Sequence, residues 1–322
     1  MESILVTGGS GFIGSNFIKL ALNEVQNLKI INLDILSYAS NSKNLKEFEG
    51  NDSYEFVKGD IADPEITKKI FERFRPTKVI NFAAESHVDR SIHDPENFIR
   101  TNILGTSNLL DTAKKAWNEN YEKKLFLQIS TDEVYGSMKA EQSANEETSI
   151  RPNSPYSASK ASADHICRAY NKTYSFPVII SRCSNNYGPH QHNEKLIPSM
   201  ITRAIKNQTL PLYGDGLNVR DWIYVSDHCK ALLEILKYGS PGEIYNIGAG
   251  EEYKNIEIVK MILKQLQKGE SLIDYVKDRP GHDKRYSLDC SKIKETLSWD
   301  TEISLADGLK KTIEWYKKQE EK

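Results

Sequence analysis

Residues Thr7 to Gly14 read Thr-Gly-Gly-Ser-Gly-Phe-Ile-Gly. They lie between the apolar run Ile4-Leu5-Val6 and a stretch with apolar positions at Phe17, Ile18, Ala21, Leu22 and Val25. An apolar run, a glycine turn and a helical period in that order predict strand, tight turn and helix, the opening unit of a doubly wound α/β sheet. Gly8, Gly11 and Gly14 permit the turn, the approach of a pyrophosphate and close helix–strand packing, and the helix amino terminus presents N–H groups to the phosphates. The spacing is Gly-x-x-Gly-x-x-Gly, not the Gly-x-Gly-x-x-Gly of the general fingerprint, so the turn alone also fits a plain loop.

Context narrows that choice. A second strand, Lys29 to Leu33, ends at Asp34, twenty residues beyond Gly14. An acidic side chain there accepts hydrogen bonds from an adenosine ribose and repels a 2′-phosphate, so NAD is expected over NADP. Strand and helix then alternate: Tyr54 to Lys58, a helix after Asp63-Pro64, Lys78 to Phe82, and a long helix from about Asp94 to Trp117. Such alternation means a parallel sheet with right-handed crossovers. Asp60 and Ile61 follow the third strand and are placed to meet the adenine. Ala83 and Ala84 follow the fourth, where small residues let a cofactor approach. His87 just beyond suits a positioning role, with catalysis the alternative.

The stretch Leu125 to Gly136 reads Leu-Phe-Leu-Gln-Ile-Ser-Thr-Asp-Glu-Val-Tyr-Gly. It delivers Thr131, Asp132 and Glu133 to the carboxyl end of a strand, where open α/β sheets place their ligands. Two adjacent carboxylates there supply one acid and one base; Ser130 and Glu133 equally fit a capping box. Tyr156 and Lys160, four apart, share a helix face, and an ammonium so placed favours tyrosinate and lowers the phenol pKa. The pair occurs by chance on many helices and gains meaning only behind a nucleotide-binding amino terminus.

A sixth strand runs from Val178 to Arg182. From Cys183 the chain turns polar and turn-rich through His192, then helical from about Lys195 to Lys206. A short strand, Leu210 to Tyr213, the turn at Gly214 to Gly216, and Arg220 to Val225 leading into a helix come next. Glu243 to Ile247 is expected to return to the main sheet. Apolar stripes through Ile256, Val259, Leu263 and Leu266, and through Leu305, Leu309, Ile313 and Tyr316, are core faces of amphipathic helices. The segment Arg279 to Tyr286 concentrates cations without an apolar period, which suits phosphate binding or a solvated basic loop.

With 322 residues, the chain exceeds a typical single domain and can bury a large core. Its 43 Lys+Arg against 45 Asp+Glu give a net charge of −2, so no general attraction to nucleic acid is expected. No apolar segment approaches the roughly 20 residues that span a bilayer. The amino terminus shows no signal-peptide pattern, so a cytoplasmic protein is expected. Cys167, Cys183, Cys229 and Cys290 are widely spaced, which predicts reduced, buried thiols. His190, His192 and Cys183 lack zinc-site spacing, and no metal is expected.

Together these segments resemble the extended short-chain dehydrogenase/reductase family, and within it the dTDP-glucose 4,6-dehydratases, over nearly the whole chain. The likeness is carried by residues 7–14, by Ala-Glu-Ser-His-Val-Asp-Arg-Ser at 84–91, by Thr-Asp-Glu-Val-Tyr-Gly at 131–136 and by Tyr156 with Lys160. Asn-Asn-Tyr-Gly-Pro at 185–189, Arg-Asp-Trp at 220–222 and Arg-Pro-Gly-His-Asp at 279–283 add to it. One departure is the loop Asp34 to Ala39, where the family more often has lysine and threonine.

The resemblance implies a Rossmann-type NAD-binding domain over residues 1–182, completed by 220–248, and a smaller nucleotide-sugar domain over 183–322. It implies oxidation at C4 of the sugar, elimination of water across C5 and C6, and return of the hydride to C6. Tyr156 would take the C4 hydroxyl proton with Lys160, Thr131 would steady that hydroxyl, Glu133 would remove the C5 proton, and Asp132 would protonate the departing C6 hydroxyl. Phe12, Ile13, Ser86 and Thr101 would join the cofactor contacts. For the substrate, dTDP-glucose, the implied contacts are Ser86, Thr131, Asn186, Lys195 and Leu196. Further along come Pro211, Tyr213, Arg220, Asn255, Arg279 and Arg285. A homodimer built from the helices beginning near Asp94 and Pro155 is implied too. A nucleotide-sugar 4-epimerase would share the cofactor site, Tyr156 and Lys160 but needs no elimination pair. A non-catalytic NAD-binding regulator would keep the cofactor site but need none of Thr131, Asp132, Glu133, Tyr156 and Lys160.

Overall fold

The computed structural model of the chain describes residues 2–321. Its strands are, in chain order, β1 (Glu2–Thr7), β2 (Leu28–Asp34), β3 (Tyr54–Lys58), β4 (Lys78–Asn81), β5 (Leu125–Thr131) and β6 (Val178–Cys183). They continue with β7 (Asn185–Tyr187), β8 (Leu210–Tyr213), β9 (Val219–Tyr224), β10 (Ile244–Ile247), β11 (Glu252–Lys254) and β12 (Ile273–Val276). Seven of them form one parallel sheet in the order β10-β6-β5-β4-β1-β2-β3. The strand order reverses between β1 and β4, so a crevice opens there at the carboxyl ends.

Alternation along β1 builds both faces. Ile4 and Val6 pack with Phe17 and Ile18 of the Phe12–Glu24 helix and with Leu232 of the Val225–Tyr238 helix. Leu5 packs on the opposite side with Phe71, Leu109 and Trp117 from the Pro64–Phe74 and Thr106–Trp117 helices. A sheet covered on both faces explains why β5 is buried at every position and is apolar from Leu125 to Ile129 except at Gln128, before Ser130 and Thr131 end it at the crevice. That polar side chain is not wasted: Asn81 donates to Gln128 Oε1 at 2.8 Å and receives from Thr7 Oγ1 at 2.6 Å, tying β1, β4 and β5 below the crevice.

A smaller unit builds on residues beyond β6. β7, β9 and β11 form a three-stranded sheet and β8 pairs with β12, over a separate core that includes Tyr187, Met200, Trp222, Ile258 and Leu309. The chain returns to the main sheet through the Val225–Tyr238 helix and β10, which pairs with β6. β9, just before that helix, pairs with β7 and β11 instead.

Several elements differ from the sequence expectation. The long helix after Asp94 starts at Glu96 and contains a π-helical stretch, Ile99–Gly105, before its regular part. Wide turns of this kind are common at functional sites. Val88–His93 forms a helix of its own, with His87 as its N-cap: His87 Nδ1 accepts from Arg90 N at 3.4 Å. The turn-rich segment after Cys183 holds β7, and β11 and β12 lie where the sequence predicts no strand.

Candidate active site

A cavity of about 390 Å³ runs along the carboxyl ends of the main strands. At one end lies the glycine turn. Gly8 has φ +67°, and a Cβ there would sit 2.6 Å from Ala83 N; a Cβ on Gly14 would sit 2.4 Å from Gly8 O. Only glycine fits both places. The Phe12–Glu24 helix has no side-chain cap and no acidic residue in its first turn among the described residues, so its N–H groups face the cavity ready for an anion. Asp34 Oδ2 accepts from Ser10 N at 2.9 Å, and Oδ1 accepts from Leu36 N at 2.7 Å and Ser40 Oγ at 3.0 Å. A carboxylate has about four acceptor positions, so one remains for a ribose hydroxyl. These features fit a dinucleotide.

The expected cofactor residues Gly8, Gly11, Phe12, Ile13, Gly14, Asp34, Asp60, Ile61, Ala83, Ala84, Ser86 and Thr101 all line this cavity, as do Thr131, Asp132, Glu133, Tyr156 and Lys160. Asp60 is held by Arg100 at 2.5 Å.

Thr131 ends β5 and caps a short 3-10 turn, Asp132–Tyr135, through a 3.3 Å bond from Glu133 N. The capping-box alternative is therefore not what forms: Ser130 Oγ is buried without a partner among the described residues. Thr131 Oγ1 also donates to Asp132 Oδ1 at 3.1 Å, while Asp132 Oδ2 is buried without a partner among the described residues. Burial first, and Glu133 beside it, push the Asp132 carboxyl well above the usual carboxylate range. Burial raises Glu133 as well, opposed by Arg279, Arg220 and Lys195. The turn thus carries an acid biased to keep its proton next to a carboxylate with three cations around it.

Tyr156 sits in the first turn of the Pro155–Tyr174 helix, which a reciprocal cap anchors: Ser157 N donates to Ser154 Oγ at 3.1 Å and Ser154 N to Ser157 Oγ at 3.0 Å. Lys160 Nζ donates to Ile129 O at 2.5 Å. The expected lowering of the phenol pKa by Lys160 is not the direction found. Burial, then Glu133, push Tyr156 well up, and burial lowers Lys160 while Asp164 opposes that. Burial disfavours both charges. Asn102, in the π-helical stretch, donates to Ser159 Oγ at 2.8 Å and to Glu85 O at 3.0 Å, so it ties this helix to the loop after β4.

The expected substrate residues divide. Ser86, Asn186 and Lys195 line the cavity with Thr131, and Lys195 Nζ donates to Ser86 O at 2.7 Å. Leu196, Pro211, Tyr213, Arg220, Asn255, Arg279 and Arg285 stand outside its walls. Leu196 and Asn255 open helices, and Asn255 Oδ1 is buried without a partner among the described residues; Pro211 and Tyr213 lie in β8. Tyr213 Oη donates to Asp89 Oδ2 at 3.2 Å, and Arg279 Nη1 lies 3.8 Å from the same carboxylate. Arg279 Nε is buried with no partner among the described residues. Arg220 is buried, donates to Val219 O at 2.7 Å and Asp283 O at 2.8 Å, and lies over the Tyr286 ring at 4.2 Å. Arg285 grips Glu252 with two 2.6 Å bonds and donates to Lys139 O and Gln142 O.

Comparison with known proteins decides the family. The model of the GDP-mannose 4,6 dehydratase family matches residues 5–312. The dTDP-glucose 4,6-dehydratase of Haemophilus influenzae is 48% identical, over 98% of this chain and 98% of that protein. The crystal structure of the Bacillus anthracis dTDP-glucose 4,6-dehydratase in complex with NAD is 46% identical with a TM-score of 0.92, covering 100% of this chain and 98% of that one. The chain belongs to the dTDP-glucose 4,6-dehydratase family.

A Streptomyces venezuelae dTDP-glucose 4,6-dehydratase with NAD bound is 44% identical, with a TM-score of 0.93 over 99% of this chain and 98% of that one. The UDP-glucose 4-epimerase of Thermus thermophilus, also with NAD, is more distant at 29% identity and a TM-score of 0.89, over 98% and 99% of the two chains. The epimerase reading thus shares the scaffold but loses on sequence, and family membership places the chain among the hydro-lyases.

Sequence reasoning missed some residues beside the family's site. Tyr286 Oη reaches Glu133 Oε2 at 3.4 Å and Asp283 Oδ2 at 2.8 Å. Glu194 gathers Tyr38 Oη at 3.2 Å, with His87, Arg90 and His192 at 3.7 to 3.8 Å, at the cavity rim. His192 is thereby accounted for, and His190 contacts Lys19 and Asn44. Among the described residues no group of three or more His, Cys, Asp or Glu is arranged to hold a metal.

Proposed function

We propose that the chain converts dTDP-glucose to dTDP-4-keto-6-deoxyglucose and water with NAD as cofactor. The observation that carries this reading is the adjacency of two buried carboxyls, Asp132 raised well above the usual range and Glu133 raised but opposed by Arg279, Arg220 and Lys195, in the same cavity as Tyr156 and Lys160. Oxidation at C4 alone needs no such pair; removing water from a β-hydroxy ketone needs a base at Cα and an acid at the leaving oxygen.

In this reading bound NAD accepts the C4 hydride and returns it to C6. Tyr156 takes the C4 hydroxyl proton, with Lys160 supplying positive charge and Thr131 holding the hydroxyl in place. The C4 ketone acidifies C5, and Glu133 removes that proton. Asp132, kept protonated by burial, gives its proton to the C6 oxygen, which leaves as water. Glu133 then returns a proton to C5 as C6 is reduced.

Arg279 is our choice for the diphosphate, because its Nε lacks a partner among the described residues whereas Arg220 and Arg285 are already bonded to backbone or to Glu252. Ser86, Asn186, Lys195, Leu196, Pro211, Tyr213 and Asn255 complete the proposed contacts. The proposed NAD domain is residues 1–182 completed by 225–248, since β9 belongs to the smaller sheet and not, as expected, to the main one; the rest of 183–322 forms the proposed nucleotide-sugar domain. A homodimer through the helices near Asp94 and Pro155 is supported by Ile99 and Leu104, which stand 49% and 58% exposed. Cytoplasmic residence is supported by four buried, unpaired thiols; no helix among the described residues is long and apolar enough to cross a membrane.

The test is substrate deuterated at C4. The expected product carries that deuterium on C6. Loss of the label to solvent, or a 6-hydroxy epimer as sole product, rejects the dehydratase reading in favour of the epimerase.

A further inference from the structure

The carboxylate assigned as base has a neighbour that the sequence reading did not use. Tyr286 is buried, and its hydroxyl sits between two carboxylates, 2.8 Å from Asp283 Oδ2 and 3.4 Å from Glu133 Oε2. Asp283 Oδ1 in turn accepts from Nδ2 of Asn153 at 2.7 Å, and Asn153 is exposed. Arg220 fixes this line from the side: its guanidinium lies over the Tyr286 ring at 4.2 Å and donates to Asp283 O at 2.8 Å. A continuous path of oxygen atoms therefore leads from the cavity, through one phenol, to a carboxylate that touches a surface side chain.

We propose that Tyr286 is a proton relay connecting Glu133 to Asp283, and through Asp283 to bulk water, during the dehydration. The proposal rests on Glu133 being the C5 base. With a sugar ring against Glu133, the cavity side of that carboxylate is covered, and the Tyr286 side remains as the route by which its proton meets solvent.

The transfer is balanced. Glu133, protonated after taking the C5 hydrogen, gives that proton to Tyr286 Oη while the Tyr286 hydroxyl hydrogen passes to Asp283 Oδ2. One O–H bond breaks at Glu133, one breaks and one forms at Tyr286, and one forms at Asp283; negative charge moves from Asp283 to Glu133. Asp283 exchanges with water, and the same line run backwards reloads Glu133 with a solvent proton for C5. Burial holds the phenol strongly on its protonated side, so the two transfers go together and no free tyrosinate forms.

The experiment runs the reaction in heavy water and measures deuterium at C5 of the product, with C4-deuterated substrate to report hydride transfer to C6 at the same time. The native enzyme is expected to place solvent deuterium at C5. Tyr286→Phe is expected to slow that exchange by roughly 100-fold, so that its product keeps the substrate's own C5 hydrogen, while the C4 label still arrives at C6. Asp283→Asn, which keeps the phenol in place, is expected to do the same and covers the case in which the phenylalanine variant fails to fold. Full deuteration at C5 by either active variant overturns the relay, as does a native product lacking solvent deuterium at C5. Glu133→Gln separates the two readings: no exchange at C5 in this variant together with full exchange in Tyr286→Phe leaves the base standing and removes only the relay. Unimpaired exchange in Glu133→Gln removes both.

Discussion

Arg182 Nε meets an oxygen of the Asp164 carboxylate at 2.9 Å, with side-chain exposures of 3% and 1%. Arg182 Nη1 also donates to Tyr135 Oη at 2.8 Å. Asp164 lies one turn beyond Lys160 on the Pro155–Tyr174 helix, and Tyr135 closes the 3-10 turn that begins with Asp132. The ion pair thus joins the element that carries Tyr156 and Lys160 to the one that carries Asp132 and Glu133, across β6.

Removing one partner leaves the other charge buried and alone. Asp164→Asn is therefore expected to destabilise the fold by about 3–5 kcal/mol. Replacing both, as Asp164→Asn with Arg182→Met, is expected to recover most of that loss, since no unpaired ion remains. Equilibrium denaturation of the three proteins measures this; equal stability of the single and double variants would contradict it.

The charge balance at Glu133 predicts a movable acid limb. Burial raises this carboxyl, and Arg279 is the foremost of the cations that hold it down. As a base Glu133 works only when ionised, so the acid limb of kcat at saturating substrate should lie above the ordinary carboxylate range. Arg279→Ala removes a stabilising cation and should shift the limb to higher pH, with Arg279→Lys intermediate. A limb that stays in place in the alanine variant would mean that another group sets it.

Asp221 gives a stability signature of opposite sign to that of a salt-bridged carboxylate. Its Oδ1 is buried without a partner among the described residues, and burial lifts its pKa to about 6 despite a 3.2 Å bond from Gly250 N to Oδ2. The folded state holds this proton more tightly than the unfolded chain does. Its contribution is therefore fully present below the unfolded carboxylate value and is lost as pH rises through about 6, a change of about 3 kcal/mol. Asp221→Asn should flatten that slope, so its Tm should exceed the native value by more at neutral pH than at about pH 4.

Local chemistry made much of this legible in sequence. The glycine turn, Asp34 and the apolar β5 run each depend on neighbours in the chain, and they predicted the main sheet and the cavity wall. Arg220 and Arg285 show where that reading ends: a cation-rich loop suggests phosphate, yet β11 pairs with β9 and places Glu252 on Arg285, while the segment after Gly281 runs beside Val219 and places the carbonyls of residues 283 and 284 on Arg220. The same applies to Tyr286 and Glu133, separated by 153 residues and joined only by the packing of the two units. The π-helical stretch at Ile99–Gly105 has no propensity signal, and Asn102 within it bonds both Glu85 and Ser159, contacts across 17 and 57 residues that no local pattern announces.

Asp34 allows a finer test of cofactor choice than loss of the side chain alone. Its carboxylate already accepts from Ser10 N, Leu36 N and Ser40 Oγ, so it shapes the loop after β2 as well as facing a ribose. Asp34→Ala removes both functions and should weaken NAD and NADP together, with three donors left unpaired at about 1–3 kcal/mol each where water cannot reach them. Asp34→Asn keeps one acceptor oxygen and the shape but loses the negative charge, which is what opposes a 2′-phosphate. Its affinity for NADP should therefore rise relative to NAD, while NAD binding falls less than in the alanine variant. Direct titration of both cofactors against the three proteins measures this, and an unchanged NAD to NADP ratio in Asp34→Asn would show that something other than this charge sets the preference.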